Sequence, residues 1–356
     1  MKPLRNAPVD RRRQSEIAGK HVLDQPGRVK LRGLLFRAVR VGIGLILLGL
    51  AVRDVDFASL SKVPTEVSPA WLALALVTVL VTITIKSWRW ALLLKPIAPQ
   101  MGFRDVIGFL LVGQAANILL PLRSGDLIRS GLASSDDAGR FPAVVTGLII
   151  EKGLDALMLV SAMALALPMI PREAALNTDL NWLLAVALGA LGAALLALVV
   201  SRRSWVLVRE KLQVVPHRGA RKAVELGDRF AAGMEQLRRA GSFRPVILLT
   251  LVSWLMMYAT NMATIYGLGL NAPPEAGLLV LVLVFIGIIP RLMPGQVGPF
   301  YFFARLALEQ FGIGPAFSTG YAVLLHAFFM LPPLVGAGIY LLTSRKRTVP
   351  EPAHSP

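Results

Sequence analysis

The chain has 356 residues, 55% of them hydrophobic and 17% charged, with a formal net charge of +17 and no cysteine. A soluble protein carries charge on nearer a quarter of its residues, and the missing thiols exclude disulfides, cysteine nucleophiles and cysteine-ligated metals. The positive charge lies in the first forty residues, in 202–244 and just after Ser344, always flanking apolar sequence. That is the pattern of the positive-inside rule, so no nucleic-acid partner is expected.

Residues 1–35 read as a basic cytoplasmic tail. Eight apolar segments follow, at about 38–55, 69–94, 105–121, 142–170, 181–201, 245–269, 277–290 and 316–343. A crossing needs ~20 mostly apolar residues. If all eight crossed from a cytoplasmic N-terminus, loop 202–244 would fall outside. It carries Arg202, Arg203, Arg209, Lys211, Arg218, Arg221, Lys222, Arg229, Arg238, Arg239 and Arg244, and the positive-inside rule forbids that placement. One segment before the loop and one after it must therefore turn back.

The shortest, 105–120 and 277–289, end at Pro121 and Pro290 and run into Leu122–Asp126 and Arg291–Pro299. The expected fold is an all-α polytopic membrane protein of six full spans and two re-entrant hairpins. Residues 69–170 and 245–343 form an inverted repeat. The transmembrane domain covers 36–343, and 344–356 is a second cytoplasmic tail. The expected location is a bacterial inner membrane with both termini in the cytoplasm. Within loop 202–244, Ala223, Leu226, Phe230, Met234 and Leu237 recur at helical spacing among basic residues, which predicts an amphipathic surface helix attracted to anionic headgroups.

Chemistry-bearing residues gather at the hairpins. Gln114 and Asn117 share a face ahead of the first, and Arg123, Ser124, Gly125, Asp126 and Arg129 follow it. With Ser124 as N-cap, the returning helix presents free N–H groups beside Arg123, a site suited to a phosphate. The competing reading has Asp126 satisfy the helix end and pair with Arg129. The second hairpin has Arg291, Pro294, Gly295, Gly298 and Pro299, again either an anion site or a structural kink.

Glu151, Lys152 and Asp155 stand within one apolar helix and require partners there. Arg123 or Arg129 is expected to face the acids, and a purely structural ion-pair cluster is the other reading. Lys86, Arg89 and Lys95, beside Trp88 and Trp90, read as an interfacial belt, or Arg89 as a phosphate contact. His326 is either interhelical glue or a proton relay. No P-loop supplies ATP drive, no His cluster holds a metal, and Asp136–Asp137 stand alone. No cofactor and no metal are expected, and the chain reads as a non-enzyme.

These residues resemble the lysylphosphatidylglycerol synthase transmembrane-region family, also called flippase-like membrane proteins. The matching elements are Ser87-Trp-Arg-Trp90, Asn117-Ile-Leu-Leu-Pro-Leu-Arg-Ser-Gly-Asp-Leu-Ile-Arg129, Glu151-Lys-Gly-Leu-Asp155 and Pro294-Gly-Gln-Val-Gly298. They are spread over about residues 38–343. The sequence departs from many members at Gln296, Tyr301 and His326, and nothing after Thr348 resembles the soluble aminoacyl-transferase domain of full synthases. The resemblance implies binding and translocation of a polar or anionic lipid: a phospholipid, a hopanoid or a lipid-linked glycan. An intramembrane lipid-modifying enzyme and an accessory subunit of an envelope-lipid enzyme, with protein partners in envelope biosynthesis, are the alternatives.

Overall fold

In the computed structural model, residues 67–120, 124–170, 218–289 and 294–344 are described, with scattered residues between 184 and 210. The predicted first span (38–55), both tails, Pro121, Arg123, Pro290 and Arg291 lie outside them, as does most of 181–201. The described residues are helical: α1 (Pro69–Leu94), α2 (Phe103–Leu119), α3 (Ser124–Ala133), α4 (Phe141–Ala166), α5 (Arg218–Arg239), α6 (Phe243–Gly267), α7 (Pro274–Ile288), α8 (Val297–Glu309) and α9 (Pro315–Ser344). Three of them, α1, α6 and α9, are long and apolar enough to cross a membrane. Helix α4 is as long as α1 but carries Glu151, Lys152 and Asp155.

The packing is that of a protein solvated by lipid. Helix α1 turns Leu74, Val77, Leu80 and Val81 outward and buries Thr78, Thr82, Ser87 and Arg89. Where the solvent is as apolar as leucine, helices associate through close packing and interhelical hydrogen bonds, not through burial of grease. Helices α1 and α6 pack antiparallel in this way. Ser68 N–H donates to Gly267 O at 2.9 Å at one end. Thr78 and Thr260 hydroxyls bond at 2.9 Å along the seam, and Arg89 Nη1 reaches Thr250 Oγ1 at 3.2 Å near the other end.

Two helical hairpins flank this pair. Helices α2 and α3 lie so close that a Cβ on Gly125 would stand 1.9 Å from Gly113 O; only glycine permits that approach. Their open end lies beside the end of α9, where Tyr340 OH donates to Asp105 Oδ1 at 3.1 Å. Helices α7 and α8 meet where a Cβ on Gly287 would strike the Phe303 ring. Their open end lies at the other face of the molecule, by the end of α6, where Asn261 Nδ2 donates to Gly277 O at 3.1 Å. At 17 and 15 residues, α2 and α7 are about 25 and 22 Å long, shorter than the ~30 Å hydrocarbon layer.

The closed ends of the two hairpins converge beside the middle of α9. There His326 Nε2 donates to Gly295 O at 2.8 Å, and its ring stacks on Phe300 at 4.4 Å. Before α8 the backbone passes through two left-handed residues, Gly295 (φ 68°) and Gln296 (φ 57°). Lower on α9, Pro332 and Pro333 lie inside the helix. The basic helix α5 packs on α4 and on the start of α6, on the same face as the open end of α2 and α3; Arg238 covers the Phe243 ring at 4.8 Å.

Candidate functional site

Between the hairpins, α1 and α4 lies a cavity of ≈ 290 Å³. One wall is charged, with Lys86 and Arg89 from α1, Asp126 and Arg129 from α3, and Glu151, Lys152 and Asp155 from α4. The opposite wall is apolar, formed by Val284, Phe285 and Ile288 of α7 and by Phe329 and Met330 of α9. Gln114, Asn117, Gly295, Gln296 and His326 also line it, as does Met257 of α6. Helical spacing explains the charged wall. Thr82, Lys86 and Arg89 fall on one face of α1, and Glu151 and Asp155 on one face of α4.

The charges are organised in pairs. Arg89, 1% exposed, grips Asp155 with both nitrogens, Nη1 to Oδ1 at 2.7 Å and Nη2 to Oδ2 at 3.2 Å. Its Nη2 also stands 3.6 Å from Glu151 Oε1. Arg129, 3% exposed, donates to Glu151 Oε1 at 2.8 Å and lies 3.6 Å from Asp126, its guanidinium 5.0 Å over the Trp90 ring. Lys152 bridges Asp126 and Glu151 at 3.7 and 3.6 Å. A fork of this kind fixes a carboxylate in two directions at once, so α1, α3 and α4 are cross-braced at the depth of the cavity.

Several sequence expectations change here. Lys86, Arg89 and Lys95 do not form one interfacial belt with Trp88 and Trp90: Trp88 and Lys95 are exposed, but Arg89 and Trp90 are buried. The acids of α4 divide between Arg129 and Arg89, a partner the sequence did not offer for Asp155. Ser124 is the first residue of α3, and Gly125 N–H donates to Asn117 Oδ1 at 3.1 Å. Asn117 also donates from Nδ2 to Asp126 Oδ1 at 3.3 Å, so α2 supplies a first-turn cap through space. Helix α8 begins at Val297, which puts Gly298 and Pro299 in its first turn, both buried. His326 stands apart from the ion pairs and ties α9 to the turn before α8. Pro294 lies in the short 3₁₀ turn ahead of α8.

The apolar wall carries no chemical signal in the sequence, and two other lining residues, Lys86 and Met257, were not expected at the site. Lys86 reads from the sequence as part of the interfacial belt, although its four- and three-residue spacing from Thr82 and Arg89 puts it on their face. Met257, on α6, carries no sequence signal of its own.

Residues 37–336 match the lysylphosphatidylglycerol synthase TM region family. The chain belongs to that family. In this family member the matched range takes in the cavity and both hairpins. Among curated proteins, it is 25% identical to a glycosyltransferase, AglD of Haloferax volcanii, over 163 residues, 44% of this chain. The match spans 26% of that relative's length. Together the family and the apolar helices make this a membrane protein with a lipid-related role.

Proposed function

We propose that the chain binds a polar or anionic lipid in the cavity and translocates it across the membrane through six full spans and two re-entrant hairpins. It does so without being an enzyme. The observation that carries the reading is one cavity, at the closed ends of two hairpins whose open ends lie at opposite faces, with one wall charged and the other apolar. An amphiphile needs such a pair of walls: the headgroup lies against the charged wall and the acyl chains on Phe285, Ile288 and Phe329. Half-length helices entering from opposite faces are the frame on which alternating access is built in many transporters. The positive-inside rule puts the α5 face in the cytoplasm, of a bacterial inner membrane on this reading.

The likeness to a protein named as a glycosyltransferase supports a second reading, a membrane module serving a lipid-modifying partner. The two separate in reconstitution. Purified protein in vesicles with fluorescent phospholipid should expose inner-leaflet label to an added membrane-impermeant quencher, without ATP. Label that stays protected, or moves only when ATP is supplied, refutes translocation by this chain alone.

A further inference from the structure

Among the described residues, four basic side chains (Lys86, Arg89, Arg129 and Lys152) and three acidic ones (Asp126, Glu151 and Asp155) line the cavity. Both arginines and Lys152 have a carboxylate oxygen within 4 Å. Lys86 has none among the described residues; its Nζ reaches Met257 Sδ at 3.4 Å. An ammonium carries three donors, and a thioether is a weak acceptor for one of them. Lys86 is also about two helical turns from Leu94, the end of α1, and its half-buried side chain faces the cavity, not the helix end to which lysines near a terminus extend. Among the described residues the wall thus has one positive charge left over, and it is on Lys86.

We propose that Lys86 is the anion-binding group of the cavity and that its ligand is a lipid with a singly charged phosphodiester headgroup. This rests on the reading of the cavity as a lipid site and deepens it. The arginines do not contact the headgroup. Their forks are committed to Asp155 and Glu151, and they position the wall on which Lys86 stands. A phosphodiester oxygen entering beside Met257 supplies the acceptors that the thioether does not, and its charge neutralises the excess. A neutral glycolipid leaves the ammonium uncompensated, and a diphosphate brings more negative charge than the described wall balances.

The experiment compares wild type with Lys86→Met and Lys86→Arg in nanodiscs. Bound phosphatidylglycerol and bound neutral glycosyl diacylglycerol are counted by native mass spectrometry, and thermal unfolding is followed in lipid-free detergent. Lys86→Met should lose on the order of tenfold in phosphatidylglycerol occupancy, as expected for removal of a charge-assisted contact. It should keep the glycolipid unchanged and unfold no earlier than wild type, since it discards a half-buried charge with no carboxylate partner among the described residues. Lys86→Arg should keep most of the binding. Unchanged phosphatidylglycerol occupancy in Lys86→Met overturns the assignment while leaving translocation intact. So does earlier melting with equal loss of both lipids, which marks Lys86 as structural. Wild type that retains neither lipid refutes the lipid site itself, and this inference with it.

Discussion

Arg89 shows what a single buried charge does in this protein. It is held by three oxygens, two on Asp155 and one on Thr250, in a setting where an unpaired ion is costly. Removing one member of a buried pair leaves the other stranded, at a cost of about 3–5 kcal/mol. Arg89→Gln should therefore unfold much earlier in detergent. Asp155→Asn should fall less, because its side chain is 25% exposed to the cavity and an amide still accepts from the guanidinium. A melting series on the two single variants and the double variant measures the coupling. Additive losses would mean that the pair does not brace α1 against α4. At this scale the sequence was partly legible. Three charges in five residues of α4 had to have partners, and Arg129 was within reach of the motif. Arg89 was not assignable to Asp155, since the two are 66 positions apart with two whole helices between them whose direction no local spacing fixes.

Among the elements, the α2–α3 hairpin depends on one glycine contact. A Cβ at Gly125 would stand 1.9 Å from Gly113 O and 2.7 Å from Asn117 N, both backbone atoms that cannot rotate away. Gly125→Ala should part the two helices and cost about 1–3 kcal/mol or more, the usual penalty of overpacking. Gly131→Ala on the same helix meets nothing within 4 Å and should be neutral or mildly stabilising. Equal melting temperatures for the two variants would show that the hairpin is not closed as described. Helix bounds were the most readable feature, because an apolar run between prolines and polar residues leaves few choices; α1 runs over Pro69–Leu94, as its segment suggests. Starts set by backbone geometry were not readable. Helix α8 opens at Val297, ahead of Pro299, because Gly295 and Gln296 take left-handed conformations first. A glutamine there gives no warning of that, being a residue that rarely adopts positive φ.

For the whole molecule the decisive question is which ends share a side. In the proposed topology two segments turn back, which keeps the basic loop 202–244 on the cytoplasmic side, and both helical hairpins are short. Single cysteines are placed readily in a cysteine-free chain. Exposed Ser135, past the end of α3, and Gly314, ahead of α9, are suitable positions. In oriented vesicles Ser135→Cys should react with an impermeant maleimide from the α5 side and Gly314→Cys from the other. Both reacting from one side would remove a hairpin.

Helix α9 belongs to both halves. Its far end is fastened to α2 through Tyr340 and Asp105, and its middle to the α8 turn through His326 and Gly295. Between the two fastenings stand Pro332 and Pro333, which cannot donate to the carbonyls of Phe328 and Phe329 one turn earlier. Those rungs of the helix ladder are missing on the stretch that lines the cavity, so this is where α9 resists flexing least. Each segment of α9 on either side of the proline pair is riveted to a different hairpin. A flex at this joint tilts one hairpin against the other about the cavity, as a lever pivots on its pin, and leaves both rivets intact.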